Sequence, residues 1–351
     1  MNGGTKVLLT GATGFVGLNI VSALLAAGYD VQAYVRQSSK TTYLDRFPVR
    51  RHVGELADAS ALASAMDGCR YVIHAAGNTS CDPGDMEALL AANVRSTENV
   101  IEAARRNGVK RIVFTSTTST VGAWNDWRRR HDEKTPLTGF RSRSPYARTK
   151  QQAEQALFAV QASGIEAIAL NPAEIMGPFD HNLQWGRIVI ATAAGRLPFV
   201  PPGSGSFCAA QDVAQAHVSA LTEGRSGERY ILAGHDVPFR KVIESAAAVA
   251  GVEARPINRM PYAMQIGAAF ARERLGWLWP GKPAVDSYRM RVFGGHYLFD
   301  SGKAERELGY RSRPVDEMVR DCYAWYRGNG FIDSEAASSP PQMSYGRHEF
   351  I

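Results

Sequence analysis

The sequence feature that most constrains the fold is a glycine-rich segment that directly follows the first apolar run. Residues 6–10 are predicted to form a strand, and residues 11–17 (GATGFVG) open a helical pattern. Gly11 permits a tight turn, Gly14 lets a ligand approach the backbone, and Gly17 lets the helix pack closely on the strand. This context makes a merely structural turn the weaker interpretation. Such a segment is typical of α/β folds with a parallel sheet.

The same alternation of short apolar runs and longer helical patterns continues through the first half of the chain. It predicts parallel strands joined by crossover helices, in a Rossmann-type doubly wound sheet. After Pro172, Pro and Gly become frequent and the alternation stops. We predict a Rossmann domain over 1–175, a smaller substrate-binding lobe over 176–330 that partly returns to the sheet, and a flexible tail over 331–351. The predicted strands are 6–10, 30–35, 49–53, 70–74, 111–115 and 167–170, and two long helices are predicted over 86–107 and 144–163.

The composition excludes several classes of protein. The four cysteines are scattered and no His or Cys cluster has metal-ligand spacing, so we expect no disulfide framework, no metal site and a reducing, cytoplasmic location. No run of about 18 apolar residues occurs, so no membrane span is expected. The formal net charge of +6 suits an anionic small-molecule ligand and is too mild to indicate nucleic acid. A surface that is simply basic is an equal alternative.

The glycine segment predicts a dinucleotide cofactor, because free N–H groups at the start of a helix bind phosphate. The residue that follows the second strand distinguishes the two nicotinamide cofactors. An acidic side chain there would bind a ribose 2′-OH, but this strand ends in Val35-Arg36 and Lys40 follows. The planar Arg36 guanidinium suits a 2′-phosphate. We therefore predict NADP, as NADPH, with NAD as the less favoured alternative.

Tyr146 and Lys150 form the pair that indicates catalysis. Residues four apart lie on one face of a helix, so the phenol and the ammonium can address the same point. A Tyr with a pKa of about 10 is a poor acid or base near neutrality, and a nearby Lys charge lowers that pKa. A hydroxyl that binds the substrate oxygen should complete the site, but the residues alone do not select one. The candidates follow the fifth strand: Thr115, Ser116, Thr117, Thr118, Ser119 and Thr120.

Assembled in this order, residues 5–330 resemble an extended short-chain dehydrogenase/reductase. The chain looks closest to the branch of dihydroflavonol reductases and 3β-hydroxysteroid dehydrogenases, because residues 120–122 and 35–36 differ from the usual pattern of sugar epimerases. Asn171 stands where the family usually has Arg. The motifs that carry the resemblance are GATGFVG (11–17), HAAG (74–77), NV (93–94), YARTK (146–150), NPAEIMGP (171–178), QDVA (211–214) and FDSGKA (299–304).

The resemblance implies a role for each site residue. Thr117, five residues before Gly122, positions the substrate oxygen, Tyr146 exchanges its proton, and Lys150 lowers the pKa of Tyr146 and holds the nicotinamide ribose. The candidates for substrate contact are Thr79, Thr118, Trp124 and Trp127, and covering the core of their own loop is an equal alternative for the two Trp side chains. The implied cofactor-binding residues are Gly11, Thr13, Gly14, Phe15, Val16, Gly17, Arg36, Lys40, Ala75, Ala76, Gly77, Thr115, Ser116, Tyr146, Lys150, Pro172, Ala173 and Ile175.

The activity implied is NADPH-dependent reduction of a ketone or aldehyde of a small-to-medium organic substrate, or the reverse oxidation. Dehydration is disfavoured, because Thr118-Ser119 stand where sugar-nucleotide dehydratases have an Asp-Glu pair. Two alternatives stay open: a nucleotide-sugar epimerase with tightly bound cofactor, and a non-catalytic NADP-binding protein. The family often forms homodimers through its long helices, so a homodimer is a further possibility that the sequence leaves open.

An arginine-rich insert lies between Thr117 and Tyr146. It contains residues 128–131 (RRRH), Arg141 and Arg143. One hypothesis is that some of these side chains bind a carboxylate or phosphate on the substrate. The alternative is a solvated loop.

Overall fold

The computed structural model describes residues 4–80, 83–197, 200–253, 261–275 and 287–332. The tail predicted over 331–351 lies outside these residues except for its first two positions. The strands are β1 Lys6–Thr10, β2 Asp30–Val35, β3 Arg50–Val53, β4 Tyr71–His74, β5 Arg111–Thr115, β6 Arg130–His131, β7 Glu166–Pro172, β8 Glu174–Met176, β9 Ser204–Ala209, β10 Arg229–Leu232, β11 His235–Pro238 and β12 His296–Phe299. The helices are α1 Phe15–Ala26, α2 Ala59–Ala65, α3 Met86–Leu89, α4 Ser96–Arg106, α5 Pro145–Ala159, α6 Gly186–Ala193, α7 Ala210–Ser219, α8 Phe239–Ala250, α9 Tyr262–Arg274, α10 Ser287–Gly294, α11 Gly302–Leu308 and α12 Val315–Gly328.

The larger sheet has seven strands in the order β10-β7-β5-β4-β1-β2-β3, and all its pairings are parallel. This confirms the predicted doubly wound α/β fold. The chain begins at β1, runs outward to β3, and then returns to the other side of β1 with β4. Ligands bind at such a reversal of strand order, outside the carboxyl ends of the strands. The register places Thr10, His74 and Phe114 side by side at this edge.

The central strands are buried on both faces, as expected for a parallel sheet covered by helices. Successive side chains of β1 alternate between two cores. Val7 and Leu9 pack on the side that carries α1 and α7, whereas Leu8 packs on the side that carries α2, α4 and α5. This is why continuous apolar runs, and not alternating ones, identified these strands in the sequence.

Two features of the fold differ from the predicted organisation. The helix predicted over 86–107 contains a π-helical stretch, Leu90–Arg95, between α3 and α4. The helix α2 was not predicted, although its N-cap Asp58 accepts hydrogen bonds from the N–H groups of Ser60 and Ala61, both at 3.0 Å. Both predicted regions contribute to both sheets: β10 is an edge strand of the large sheet, and β6 pairs with β12.

The second sheet has the order β11-β9-β12-β6, with β8 paired to β9. An aromatic cluster covers it, in which the Trp185 ring lies 4.7 Å from that of Phe207 and 5.4 Å from that of Phe239, centroid to centroid. None of the helices in the described ranges is both long and apolar enough to cross a membrane.

Gly17 supplies a test of the close approach between α1 and the glycine segment. A Cβ atom at this position would lie 2.0 Å from the Gly11 carbonyl oxygen, which is backbone and cannot move aside. We expect Gly17→Ala to lower the free energy of unfolding by about 1–3 kcal/mol, measured by urea denaturation. The control is Gly267→Ala in α9, where nothing lies within 4 Å of the new atom and Ala should stabilise by up to about 1 kcal/mol. Equal effects of the two substitutions would contradict this account.

Candidate active site at the carboxyl edge of the parallel sheet

The glycine segment forms an open cradle at the start of α1. Gly14 is the N-cap residue and donates its N–H to the Gly11 carbonyl at 3.0 Å, and no side chain caps the helix. The first N–H groups of a helix have no intrahelical partner, so they are available to an anionic ligand. Phe15, the first residue of α1, is buried. These features fit the phosphates of a dinucleotide.

The loop after β4 packs directly against this cradle. Gly11 has φ +73°, and a Cβ atom there would lie 2.6 Å from the backbone of Ala75 and Ala76. The Ala76 N–H donates to Thr10 Oγ1 at 3.3 Å. The structure thus brings together two of the segments that the sequence assigned to the cofactor.

His74 ties these two segments to the helix behind them. Its Nδ1 lies 2.7 Å from Thr10 Oγ1, and its Nε2 lies 3.1 Å from Thr97 Oγ1. Thr97 Oγ1 already donates to the Asn93 carbonyl at 2.7 Å, so His74 Nε2 must donate and Nδ1 must accept. Burial, reinforced by the charge of Lys150, lowers the pKa of His74 to about 3. His74 is therefore a neutral structural bridge.

The π-helical stretch places Asn93 where it can bind both backbone groups of one residue. Asn93 Oδ1 accepts from the Asn78 N–H at 2.8 Å, and Nδ2 donates to the Asn78 carbonyl at 2.9 Å. Nδ2 also donates to Thr149 Oγ1 at 3.1 Å. Because Thr149 precedes Lys150, this one side chain joins the loop after β4 to α5. The π-helical geometry was not visible in the sequence.

The helix α5 carries the predicted Tyr146 and Lys150 on one face. Ser144 caps its start by accepting from the Ala147 N–H at 3.3 Å, and Pro145 occupies its first turn. Lys150 is 4 % exposed, donates to the Thr115 carbonyl at 2.7 Å, and lies 3.8 Å from the centre of the Phe114 ring. Burial lowers the pKa of Lys150 to about 7, against the opposing charge of Glu154. Lys150 is therefore less basic than an exposed lysine.

The hydroxyl groups after β5 are not equivalent. Thr115 Oγ1 lies 2.7 Å from His217 Nε2. Ser116 Oγ donates to Glu154 Oε1, and Thr120 Oγ1 lies 2.9 Å from the same oxygen. These three hydroxyls are engaged with buried partners. Thr117 is half-buried, has an extended backbone, and accepts the Ser119 N–H at 3.1 Å, so its own proton can serve a ligand.

Glu154 is a site residue that the sequence analysis missed. It is fully buried one helical turn after Lys150. Besides Ser116 and Thr120, its Oε1 accepts from Asn171 Nδ2 at 2.7 Å, and its Oε2 forms an ion pair with Arg229 at 2.8 Å. Asn171 Nδ2 also donates to the Thr117 carbonyl at 3.0 Å. The spacing of four from Lys150 could have indicated that Glu154 shares its helix face.

The remaining cofactor candidates lie at the same edge. Arg36 is exposed directly after β2, beside the glycine segment that follows β1. Lys40 lies close enough to His181 that its charge, together with the larger effect of burial, lowers the pKa of His181. Pro172 ends β7, and Ala173 and Ile175 continue from it, half-buried, into β8.

The residues predicted to contact the substrate are less closely grouped. Trp124 and Trp127 are 44 % and 63 % exposed, with guanidinium groups of Arg129 and Arg128 at 4.3 and 5.0 Å from their rings. Thr79 is exposed and Thr118 is buried. A cavity of about 480 Å³ lies on the side of the second sheet, outside the glycine cradle. Its lining includes Phe140, Pro202, Tyr262, Ile266, Arg291 and Tyr297.

The NAD-dependent epimerase/dehydratase family matches residues 7–233 of the sequence. The chain belongs to this family. The resemblance to extended short-chain dehydrogenase/reductases is thereby confirmed, and the chain is an oxidoreductase of a family that binds a nicotinamide dinucleotide.

Relatives and a solved structure extend the match over nearly the whole chain. "Sterol demethylase protein B" of Methylococcus capsulatus is 31% identical over 93% of this chain and 99% of the relative. A putative dihydroflavonol 4-reductase of Synechocystis sp. is 28% identical over 93% and 96%. A 2-alkyl-3-oxoalkanoate reductase of Stenotrophomonas maltophilia is 30% identical over 87% and 94%. The crystal structure of gox2253 superposes with a TM-score of 0.79 at 29% identity, over 93% and 99% of the two chains.

The ion pair between Glu154 and Arg229 yields a stability prediction. We expect Glu154→Gln to lower the free energy of unfolding by about 3 kcal/mol, because it leaves Arg229 unpaired next to a buried polar group. Arg229→Met should have a similar effect, and the double substitution should cost less than the sum by about 0.5–3 kcal/mol. Urea denaturation of the four proteins measures this coupling.

The control for this cycle is the exposed pair of Arg240 and Glu244 on α8, whose side chains are 74% and 52% exposed. Glu244→Gln should change the free energy of unfolding by less than about 1 kcal/mol. Strict additivity at Glu154 and Arg229 would mean that the two side chains do not stabilise the fold as a pair.

Proposed function

We propose that this protein is an NADPH-dependent reductase that acts on the ketone or aldehyde group of a small-to-medium organic substrate, or catalyses the reverse oxidation. The observation that carries the proposal is the placement of Lys150. It is buried at the carboxyl end of β5, held by the Thr115 carbonyl, and one helical turn from Tyr146. A buried cation beside a Tyr hydroxyl favours the phenolate and so lowers the pKa of the Tyr.

Each residue has a distinct task in this mechanism. The Thr117 hydroxyl donates a hydrogen bond to the substrate oxygen and orients the carbonyl group. Tyr146 holds the proton that this oxygen receives. The Lys150 charge lowers the free energy of the Tyr146 phenolate that remains after the transfer. Glu154 holds the segment that carries Thr117 through Ser116, Thr120 and Asn171. The bound cofactor supplies the hydride.

Two further observations support reduction over the alternatives. Two of the relatives are named as reductases. Thr118 and Ser119 cannot perform acid–base chemistry at ordinary pKa values, which argues against dehydration. The cytoplasmic location and a homodimer remain predictions.

The test of the proposed function is absorbance at 340 nm with NADPH and a panel of ketones, aldehydes and nucleotide sugars. We expect net NADPH oxidation with a carbonyl compound, and a kcat lower by about 10²–10⁴-fold in Tyr146→Phe. The control is Tyr29→Phe, because Tyr29 precedes β2 at the opposite edge of the sheet. Activity on a nucleotide sugar alone, without net cofactor change, would establish an epimerase. Cofactor binding without any turnover would favour a non-catalytic protein.

The preference for NADPH rests on Arg36 and has its own test. A charge-assisted hydrogen bond to the 2′-phosphate contributes about 1.5–3 kcal/mol. We expect Arg36→Ala to weaken NADPH binding by about 10–100-fold and to leave NADH binding nearly unchanged. Fluorescence titration measures both affinities. Arg50→Ala removes the same charge at the amino end of β3 and should alter neither, whereas tighter binding of NADH by the wild-type protein would refute the assignment.

A further inference from the structure

Among the arginines of the insert, Arg141 is the one that is buried. It is 7% exposed, whereas Arg128, Arg129 and Arg143 are exposed to solvent. Its Nη2 donates to the Thr118 carbonyl at 3.3 Å, and its Nε has no hydrogen-bond partner. Taking a guanidinium out of water is costly unless its donors are satisfied. A buried Arg with so few partners therefore points to a ligand that supplies the missing acceptor.

The charges around Arg141 do not satisfy it. The groups whose charges act on Arg141 are the phenols of Tyr288 and Tyr297 and the carboxyl group of Glu174. Glu174 Oε2 already accepts from Trp185 Nε1 at 2.9 Å, and burial raises the pKa of Glu174. The faces of the guanidinium are covered by the rings of Tyr297 and Phe299, at 5.0 and 5.7 Å. Ring faces stabilise the cation but accept no in-plane hydrogen bond, so Nε is left without an acceptor.

The position of Arg141 connects the proposed catalytic segment to the cavity. On one side it contacts the carbonyl of Thr118, the residue after Thr117. On the other it stacks on Tyr297, which lines the cavity together with the neighbouring Phe140. The described residues that line this cavity include Arg291 and no acidic side chain. Arg141 therefore lies between the segment that carries Thr117 and a residue that lines the cavity.

Resting on the proposed function, we propose that the substrate is an oxo acid whose carboxylate is bound by Arg141. The planar guanidinium presents parallel N–H groups that match a carboxylate. The aromatic and aliphatic cavity lining then suits an apolar chain or ring system beyond the acid group. Arg141 is thus a specificity-determining residue, and the exposed arginines of the insert are not required.

Binding to a variant with strongly reduced turnover tests this inference separately from the proposed function. The parent is Tyr146→Phe saturated with NADPH, and the probes are 2-oxooctanoate and its methyl ester, titrated by calorimetry. We expect the acid to bind at least about 10-fold tighter than the ester, which corresponds to about 1.4 kcal/mol. Arg141→Met should abolish this difference and leave NADPH affinity unchanged. Equal binding of the two probes by the parent, including no binding of either, would overturn the proposal.

Two further variants serve as controls for the Arg141→Met measurement. Arg148→Met removes a charge from the exposed side of α5 and should preserve the preference for the acid, so loss of the preference in this variant would indicate a general effect of charge. Arg141→Lys keeps the charge without the planar fork, and we expect it to retain part of the preference even if Arg141→Met fails to fold. Full preference in Arg141→Met would assign Arg141 a purely structural role. If the wild-type protein does not oxidise NADPH, the proposed reductase activity is refuted. The binding measurements can still be interpreted, because they do not depend on turnover.

Discussion

The buried carboxylate of Glu154 is the interaction on which the geometry of the site depends. A charge with no access to water is destabilising by several kcal/mol unless it is paired and hydrogen-bonded. Its partners come from the segment after β5, from β7 and from β10. These elements must therefore dock in one register before the charge is satisfied. The same register fixes the position of the Thr117 carbonyl and the orientation of the helix face that carries Lys150.

The arrangement also explains how the second half of the chain contributes to the proposed active site. Arg229 belongs to the edge strand β10, and β10 reaches the large sheet only after the chain has built β8, β9 and α7. Arg141 is covered by rings from β12, which pairs with β6 and β9. The two sheets are therefore joined by interleaved segments, and the proposed active site depends on contacts between them.

Most of the large sheet could be predicted from the sequence, because its strands are buried on both faces and appear as uninterrupted apolar runs. The bounds of β1, β2 and β5 followed directly from this pattern. The glycine cradle and the pair of Tyr146 and Lys150 were also local features. Glu154 and Arg141 were not predictable in the same way, because a charged residue in a sequence indicates solvent by default. Only partners distant along the chain make their burial possible.

The π-helical stretch Leu90–Arg95 fixes the length of the chain between α3 and α4. Successive residues of an α-helix are rotated by about 100° around its axis, because one turn holds about 3.6 residues. A chain one residue shorter here would form a regular α-helix, but its two halves would be rotated against each other by that angle. Asn93 would then face away from Asn78 and Thr149. Substitutions on the outer surface of this helix therefore leave these contacts in place, whereas an insertion or deletion within it would separate the loop after β4 from α5.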